Sequence, residues 1–219
     1  MRIGFISLGD PTRCGTWSGT TYSTFEGLSG NNQVEWINPG GTNAAAIDLY
    51  YRIISHLAGR RVRSYSTRRF ASALGRNLRR HDLNKYDLLF SIGSSEIAHL
   101  KTRIPIIHLT DATYAQMVGY YDGFDQGERS NHHSDEIQRK AYEVSTQLIF
   151  SSHWAARSAM DDYHVPEGKI NVLRLGANQN VPDYLPERQS HGKLRLLFVG
   201  KEWARKGGSI AVDALSSLQ

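Results

Sequence analysis

The sequence predicts an α/β protein built on a Rossmann-like parallel sheet with helices on both faces. Short apolar segments alternate along the chain with longer segments of helical periodicity. A strand with one face in solvent alternates polar and apolar residues, and the apolar segments here do not. We therefore expect helices to cover both faces of the sheet. Hydrophobic residues make up 40% of the 219 residues. That fraction is ample for a core and excludes a disordered, collagenous or coiled-coil chain.

Six apolar segments are the predicted strands, and turn signals close the first three. The first ends in Gly-Asp-Pro, the second in Pro-Gly-Gly and the third at Gly93. The predicted strands, in chain order, are Ile3–Leu8, Val34–Asn38, Tyr86–Ile92, Ile104–Leu109, Leu148–Ser151 and Ile170–Leu175.

The segments between these strands are the predicted helices. We expect Asn43 and Ser134 to cap two of them, because short polar side chains accept hydrogen bonds from the free N–H groups of a first turn. The predicted helices are Trp17–Leu28, 43–57, Ser66–Arg80, a short one after Gly93, Thr113–Tyr121, Ser134–Gln147 and His153–Tyr163.

The composition and periodicity of the sequence change after Gly176, which predicts a domain boundary. Residues 1–178 form the predicted Rossmann-like domain, and residues 179–193 read as a linker because they have two prolines and no periodicity. Residues 194–219 then contain one predicted strand (LRLLFVG) and the start of one helix. One strand and one helix cannot close a core, so this second unit is expected to be cut short or to pack on the first.

Several site types are excluded by residues that the sequence lacks. It has no Walker loop, no GxGxxG after the first strand and no Asp-x-Asp. Its single cysteine, Cys14, excludes a disulfide and a thiolate zinc cluster, and no histidine pair has metal-ligand spacing near a third ligand, so no metal is expected. No apolar run is long enough to span a membrane or to act as a signal peptide, which predicts a cytoplasmic protein.

The positive charge is concentrated in one segment. The formal net charge is +5, and residues 60–80 contain eight arginines and no acid, which leaves −3 for the rest of the chain. A nucleic-acid binder more often spreads its excess charge, and no aromatic stacking set or RNA motif accompanies this segment, so no nucleic-acid partner is expected.

On a helix, the arginines of this segment separate from its apolar residues. Phe70, Ala71, Leu74 and Leu78 share one face, which is expected to pack on the sheet. The opposite face is a candidate contact with anionic lipid headgroups, worth about 1 kcal/mol per arginine near the surface. The alternative is a solvated face that binds nothing. The arginines of this face are Arg68, Arg69, Arg76, Arg79 and Arg80.

Four segments carry a family resemblance. They are CGTWSGTTY, PIIHLTDATY, LIFSSHWAARSAMDDYHV with KINVLRLGANQN, and LLFVGKEWARKGGSIAVDAL. In this order they resemble the family 4 glycosyltransferases of the two-domain GT-B fold, over nearly the whole chain. The resemblance implies an N-terminal acceptor-side domain and the start of a donor-binding domain. It also implies retaining, metal-independent transfer from a nucleotide-sugar co-substrate, with no cofactor.

The loop after the first strand is a candidate donor-phosphate site. Gly15 and Gly19, with Ser18 between them, let backbone amides approach an anion closely, and a helix N-terminus is predicted behind them. The alternative is an ordinary strand-to-helix turn in which the glycines serve packing.

The loop GKEWARKGG is the second candidate phosphate site. The resemblance implies that its basic side chains, Lys201, Arg205 and Lys206, clamp the donor phosphates and offset the charge of the leaving group. The family more often has arginine where Lys201 stands. A solvated basic turn is the alternative.

Asp111 is the candidate catalytic residue, because it leaves the fourth strand at its carboxyl end, where open α/β sheets bind ligands. The family often has a histidine here. The aspartate is expected to orient a sugar hydroxyl or to stabilise positive charge at the anomeric carbon, or else to cap the next helix. Glu96, His108 and Tyr114 are acceptor-side candidates. A capping role for Glu96 and a core position for His108 are the alternatives.

These observations leave three functions open. The first is a glycosyltransferase part acting on a lipid, saccharide or small-molecule acceptor. The second is a non-catalytic acceptor- or membrane-binding module, peripheral on the inner face of the membrane, and the third is another nucleotide-binding α/β protein. The family's late glutamate pair, which holds the donor, is not in this sequence, so we expect the chain as it stands to be inactive or nearly so.

Overall fold

Six strands in the described part of the chain form one all-parallel sheet. The computed structural model describes residues 1–57, 59, 63–121, 124–178, 184, 196–200 and 202–218. The strand order is β2-β1-β3-β4-β5-β6, and every neighbouring pair is parallel. The predicted α/β fold class is therefore confirmed. The strands are β1 (Arg2–Ile6), β2 (Gln33–Ile37), β3 (Leu88–Ser91), β4 (Ile106–Thr110), β5 (Gln147–Phe150) and β6 (Ile170–Val172).

Helices connect these strands and cover both faces of the sheet. Ile3 and Phe5 of β1 pack in one cluster with Phe25 and Leu28, whereas Ile6 packs in a different cluster. Neighbouring residues of a strand point to opposite faces, so the two clusters lie on opposite sides of the sheet. The helices are α1 (Thr20–Ser29), α2 (Thr42–Leu57), α3 (Arg68–Leu78), α4 (Ser94–Ile97), α5 (Tyr114–Met117), α6 (Glu128–Val144), α7 (His153–Asp161) and α8 (Gly208–Ser216).

Two predicted helix starts differ from the structure. The residues 17–19 form a separate single turn, with Trp17 and Ser18 at φ of 49° and 53°, and α1 begins only at Thr20. The prediction that Ser134 caps a helix is wrong, because α6 begins six residues earlier, after Gly127 at φ 87°. Ser134 is instead a buried residue inside α6.

Capping explains the other shifts at helix ends. Thr113 caps α5 with a reciprocal bond to Gln116, and the helix ends at Met117 rather than at Tyr121. Thr67 caps α3, since its side chain accepts from the N–H of Phe70. Asn43 lies inside the first turn of α2 and not at its cap; its Oδ1 accepts from the side chain of Asn77 on α3 at 2.9 Å.

The two faces of α3 are as predicted. Phe70, Ala71, Leu74 and Leu78 are at most 6% exposed. Every arginine predicted for the opposite face is exposed: Arg68, Arg69, Arg76, Arg79 and Arg80. Among the helices that the structure describes, none combines the length and hydrophobicity needed to cross a bilayer.

The chain divides into two compact units, residues 1–179 and 180–219. In the second unit, α8 is present, but residues 196–200 are exposed and have no regular secondary structure. The strand predicted from residue 194 is therefore not found in the described residues. A strand needs a hydrogen-bonding neighbour, and no second extended segment of this unit is described. Apart from Tyr184, which is exposed, the predicted linker at 179–193 lies outside the described residues, as does Lys201.

Gly75 lies where α3 packs most closely on the segment after α4. A Cβ at this position would lie 2.9 Å from both the Cβ and the carbonyl oxygen of His99. Because backbone cannot yield as a flexible side chain does, we expect Gly75→Ala to lower the free energy of unfolding by about 1–3 kcal/mol. This loss should appear in urea denaturation even though alanine is the better helix former.

Gly27→Ala in α1 is the matched control. A Cβ at Gly27 would meet no atom within 4 Å, so the helix propensity of alanine should leave stability unchanged or raise it by up to about 1 kcal/mol. Equal stability of the two variants would contradict the close approach of α3 to His99.

Candidate functional site at the carboxyl edge of the sheet

The strand order reverses between β1 and β3, and this reversal creates a crevice at that point of the sheet. From β1 the chain first adds β2 on one side and then β3 on the other. The connections leave β1 and β3 in opposite directions, which opens a crevice at their carboxyl ends where doubly wound sheets bind ligands. Leu8 follows β1 at this edge, and Gly93 to Glu96 follow β3.

A cavity of about 350 Å³ occupies this crevice. Its floor comes from the residues after β1 and β3, and its walls come from α6, from the turn before α3 and from the segment after β4. The lining residues that bear on its chemistry are Glu96, Ser134, Gln138, Tyr65, Tyr114 and Phe124.

Glu96 is the buried acid of this cavity. It is the third residue of α4, is 8% exposed and turns back over the start of its own helix. A Cβ on Gly93 would overlap its carboxyl group, which would then have to move. Burial raises the pKa of Glu96 to about 6, against the opposing hydrogen bonds from the backbone N–H groups of Glu96 and Leu8. Because this pKa lies near neutrality, both the protonated and the ionised form of the carboxyl are accessible at neutral pH.

Ser134 supplies a buried hydroxyl to the same cavity. The residue is 6% exposed, and its side chain interacts with the Tyr114 hydroxyl, which opposes the effect of burial on the pKa of Tyr114. The Tyr114 hydroxyl nearby donates to the Phe124 carbonyl at 2.7 Å. Burial raises the pKa of Tyr114, so its phenol stays protonated.

A chain of hydrogen bonds fixes one wall of the cavity. His108 Nδ1 lies 3.2 Å from the Ser91 carbonyl, which can only accept, so Nδ1 carries the proton. His108 Nε2 therefore accepts from the Ser94 hydroxyl at 3.1 Å, and Ser94 Oγ accepts from Gln138 Nε2 at 3.0 Å. Gln138 Oε1 accepts from the N–H of Tyr114.

His108 is a core residue and does not reach a ligand. It is fully buried, and burial lowers its pKa to about 4, so the imidazole is neutral at pH 7. The structure thus agrees with the core alternative for His108. Its part in the site is to position Ser94 and, through it, Gln138.

Asp111 lies at a second cavity of about 480 Å³, beside the first, with which it shares Tyr114, Phe124 and Gln138. Its Oδ2 accepts a hydrogen bond from Trp17 Nε1 at 3.2 Å. The capping alternative for Asp111 is wrong, because Thr113 caps the helix that follows. The exposed carboxylate is held by the indole and faces a cavity lined by Trp17, Tyr114, Tyr120, Tyr121, Phe124 and Trp154.

The glycine loop is partly engaged within the protein. The N–H of Gly19 donates to the Thr16 carbonyl at 3.1 Å, and Asn178 packs over Gly19 while donating to the Ser18 carbonyl at 3.1 Å. Gly15 is exposed, with open space where a side chain would project. Of the three predicted loop residues, Gly15 and Ser18 are exposed and Gly19 is buried.

The basic loop of the second unit is described only in part. Arg205 forms an ion pair with Glu202, and the N–H of Lys206 donates to the Glu202 carbonyl. Trp203 packs over Gly208 and donates to Ser209 Oγ at 3.2 Å. Among the described residues, no group of three or more His, Cys, Asp or Glu side chains could hold a metal ion.

The lining residues of the two cavities that the sequence analysis did not identify as site residues include Tyr65, Phe124, Ser134 and Trp154. Tyr65 and Phe124 lie in segments without strand or helix periodicity. Ser134 was interpreted as a helix cap. Trp154 lies one residue into α7, just after β5, and its place after a strand was the signal that could have found it.

No protein-family model matches the chain, and no curated protein matches it at a significant level.

The raised pKa of Glu96 makes the stability of the protein depend on pH. The native state holds this proton more tightly than the unfolded chain does, with pKa values of about 6 and 4.5. The native state therefore binds more protons over this window, and the contribution of Glu96 falls as pH rises through it. We expect the advantage of the wild type over Glu96→Gln to shrink by about 2 kcal/mol between pH 4 and pH 7.

Paired urea denaturation of the wild type and Glu96→Gln across this range measures the difference directly. Other titrating groups act equally on both proteins and cancel. Parallel stability curves would contradict the buried position of Glu96.

Proposed function

We propose that residues 1–179 are the acceptor-side domain of a retaining, metal-independent glycosyltransferase. In this proposal the cleft at the carboxyl edge of the sheet binds a saccharide or another polyhydroxyl acceptor. The observation that carries it is the pairing of two carboxylates, Glu96 and Asp111, with aromatic walls in adjoining cavities at the switch point of the sheet. The resemblance of the sequence segments to family 4 glycosyltransferases supports the same function.

The chemistry of the two cavities suits a neutral hydroxylated ligand. Sugars stack their C–H faces on aromatic rings and donate their hydroxyls to carboxylates, and both partners are present here. Among the described lining residues of the two cavities there is no arginine or lysine, and the nearby Arg63 guanidinium is stacked on the ring of Phe124, 4.7 Å from its centroid. This supports assigning the nucleotide of the donor to the basic loop of the second unit.

The two carboxylates suit different tasks in this reaction. Asp111 is exposed and fixed by the Trp17 indole, so it is placed to orient a sugar hydroxyl or to stabilise positive charge that develops at the anomeric carbon. Glu96 has a pKa of about 6, so it can accept a hydrogen bond from an acceptor hydroxyl when ionised and donate one when protonated.

Titration of the 219-residue chain with saccharides, cyclitols and free nucleotides tests the proposal. Trp17 and Trp154 line the cleft, so their fluorescence reports on its occupancy. We expect saturable binding of at least one polyhydroxyl ligand at about millimolar affinity, near −4 kcal/mol. Asp111→Asn should weaken this binding about fivefold, because a hydrogen bond to a charged acceptor is worth about 1 kcal/mol more. In a full-length enzyme that also carries a complete donor-binding domain, the same variant should lower kcat at least about tenfold in a transfer assay with nucleotide-sugar donors.

Asp161→Asn at the end of α7 is the control, because it removes the same charge from an exposed residue that does not line the cleft. It should bind as the wild type does. Micromolar binding of a nucleotide without any saccharide binding would favour another nucleotide-binding protein and refute the acceptor-side assignment.

The outward face of α2 favours a second candidate function, a module that binds a membrane surface. Leu49, Tyr50, Ile53 and Leu57 share this face, and each is more than half exposed. The helix packs beside α3 with its exposed arginines. An apolar helix face next to cationic side chains is typical of proteins that lie in the interface of an anionic membrane.

Vesicle binding at low salt tests this second function. We expect the protein to bind vesicles that contain anionic lipid and to release them as salt screens the attraction. Replacing Arg68, Arg69, Arg76, Arg79 and Arg80 with glutamine should abolish binding, and Ile53→Ser with Leu57→Ser should weaken it. Equal binding to neutral and anionic vesicles would refute the electrostatic part of the proposal.

A further inference from the structure

A third cavity, of about 330 Å³, opens between α2, α3 and α6, outside the cleft described above. Three arginines from two different helices converge on it, and no acidic side chain is among its described lining residues. The residues that line it are Tyr51, Thr67, Arg68, Arg69, Arg129, Ser130 and His133. We propose that this cavity is a binding site for a phosphate group.

The positive charge of the cavity is only partly neutralised from within. Arg68 pairs with Glu136 of α6, but Glu136 also binds Lys140 at 2.7 Å, so one carboxylate serves two cations. Arg69 and Arg129 form no ion pair with any described residue. Two guanidinium groups therefore remain available, each with a planar set of N–H donors that matches phosphate oxygens.

Neutral donors complete the cavity. Burial and the neighbouring charges of Arg68 and Arg129 lower the pKa of His133, against the opposing charge of Glu136, so at pH 7 the ring is neutral and offers one N–H. The hydroxyls of Tyr51 and Ser130 also line the space. The Thr67 hydroxyl is committed to the cap of α3 and to the Ser64 carbonyl, so it shapes the wall without donating to a ligand.

The arrangement distinguishes this site from the exposed arginine face of α3. Arg76, Arg79 and Arg80 do not line the cavity and lie in the last turn of α3 or just beyond its end. Arg68 and Arg69 lie at the start of α3, where Arg129 meets them from α6. Convergent guanidinium groups around a bounded space favour a compact anion over an extended polyanion, which needs an open groove and stacking rings. The inference rests on neither function proposed above.

The test uses the 219-residue chain and calorimetric titration with inorganic phosphate at constant ionic strength. We expect saturable binding of one phosphate, and a loss of affinity of at least tenfold in the variant Arg69→Gln with Arg129→Gln. Arg103→Gln with Arg157→Gln removes the same charge from exposed residues outside the cavity and should bind as the wild type does. Arg69→Lys with Arg129→Lys keeps the charge but removes the planar donors, so its affinity should also fall.

Vesicles identify the source of the phosphate. If the ligand is a lipid headgroup, vesicles with phosphatidic acid should retain the protein, and inorganic phosphate or Arg69→Gln with Arg129→Gln should release it. If the ligand is a free phosphate compound, phosphate binding should persist while retention on vesicles is insensitive to Arg69 and Arg129. Absence of saturable phosphate binding would overturn the proposal, as would equal losses in the cavity variant and the charge-matched control. Circular dichroism of each variant separates loss of binding from loss of fold.

Discussion

A buried chain of hydrogen bonds is the constraint on which the rest of the domain depends. His108 is fully buried in β4, and its imidazole would be costly there without partners. Both ring nitrogens are satisfied, one by the Ser91 carbonyl of β3 and the other by Ser94 of α4, which in turn accepts from Gln138 of α6. Two neighbouring strands and two helices are therefore held in one register, because a shift of α6 along its axis would leave buried groups unpaired.

The position of the cleft follows from this constraint. The side-chain amide of Gln138 donates to Ser94 and accepts from the N–H of Tyr114, which fixes the orientation of α6. In this orientation Ser134, one turn earlier, lines the crevice between β1 and β3. The single turn of α4 places Glu96 on the other side of that crevice. A neutral histidine in the core thus orients an acid and a hydroxyl at the surface of the cavity without touching a ligand itself.

The sequence predicted the sheet well and the site only in part, for identifiable reasons. Unbroken apolar runs identified the strands, since buried parallel strands leave little room for polar residues. Asp111 and Glu96 were chosen as candidates because they follow strands, and both line the cavities. Ser134 was assigned to a helix cap, because no sequence signal shows that the left-handed Gly127 starts α6 six residues earlier. Phe124 comes from a loop, and its place in the cleft depends on how that loop folds back on Tyr114.

Charge is distributed unevenly over the surface of the first unit. The carboxylates of Glu96 and Asp111 face cavities whose described lining carries no lysine or arginine, whereas α3 and the start of α6 present arginines to a separate cavity and to solvent. The Arg63 guanidinium stacks on the rings of Tyr65 and Phe124, which line the cleft, so the separation of charge is not complete. No lysine or arginine contributes to the pKa of Glu96, which burial raises to about 6. A cation close to Glu96 would favour its ionised form and lower its pKa, so the raised pKa depends on the separation of this carboxyl from the arginines of α3 and α6.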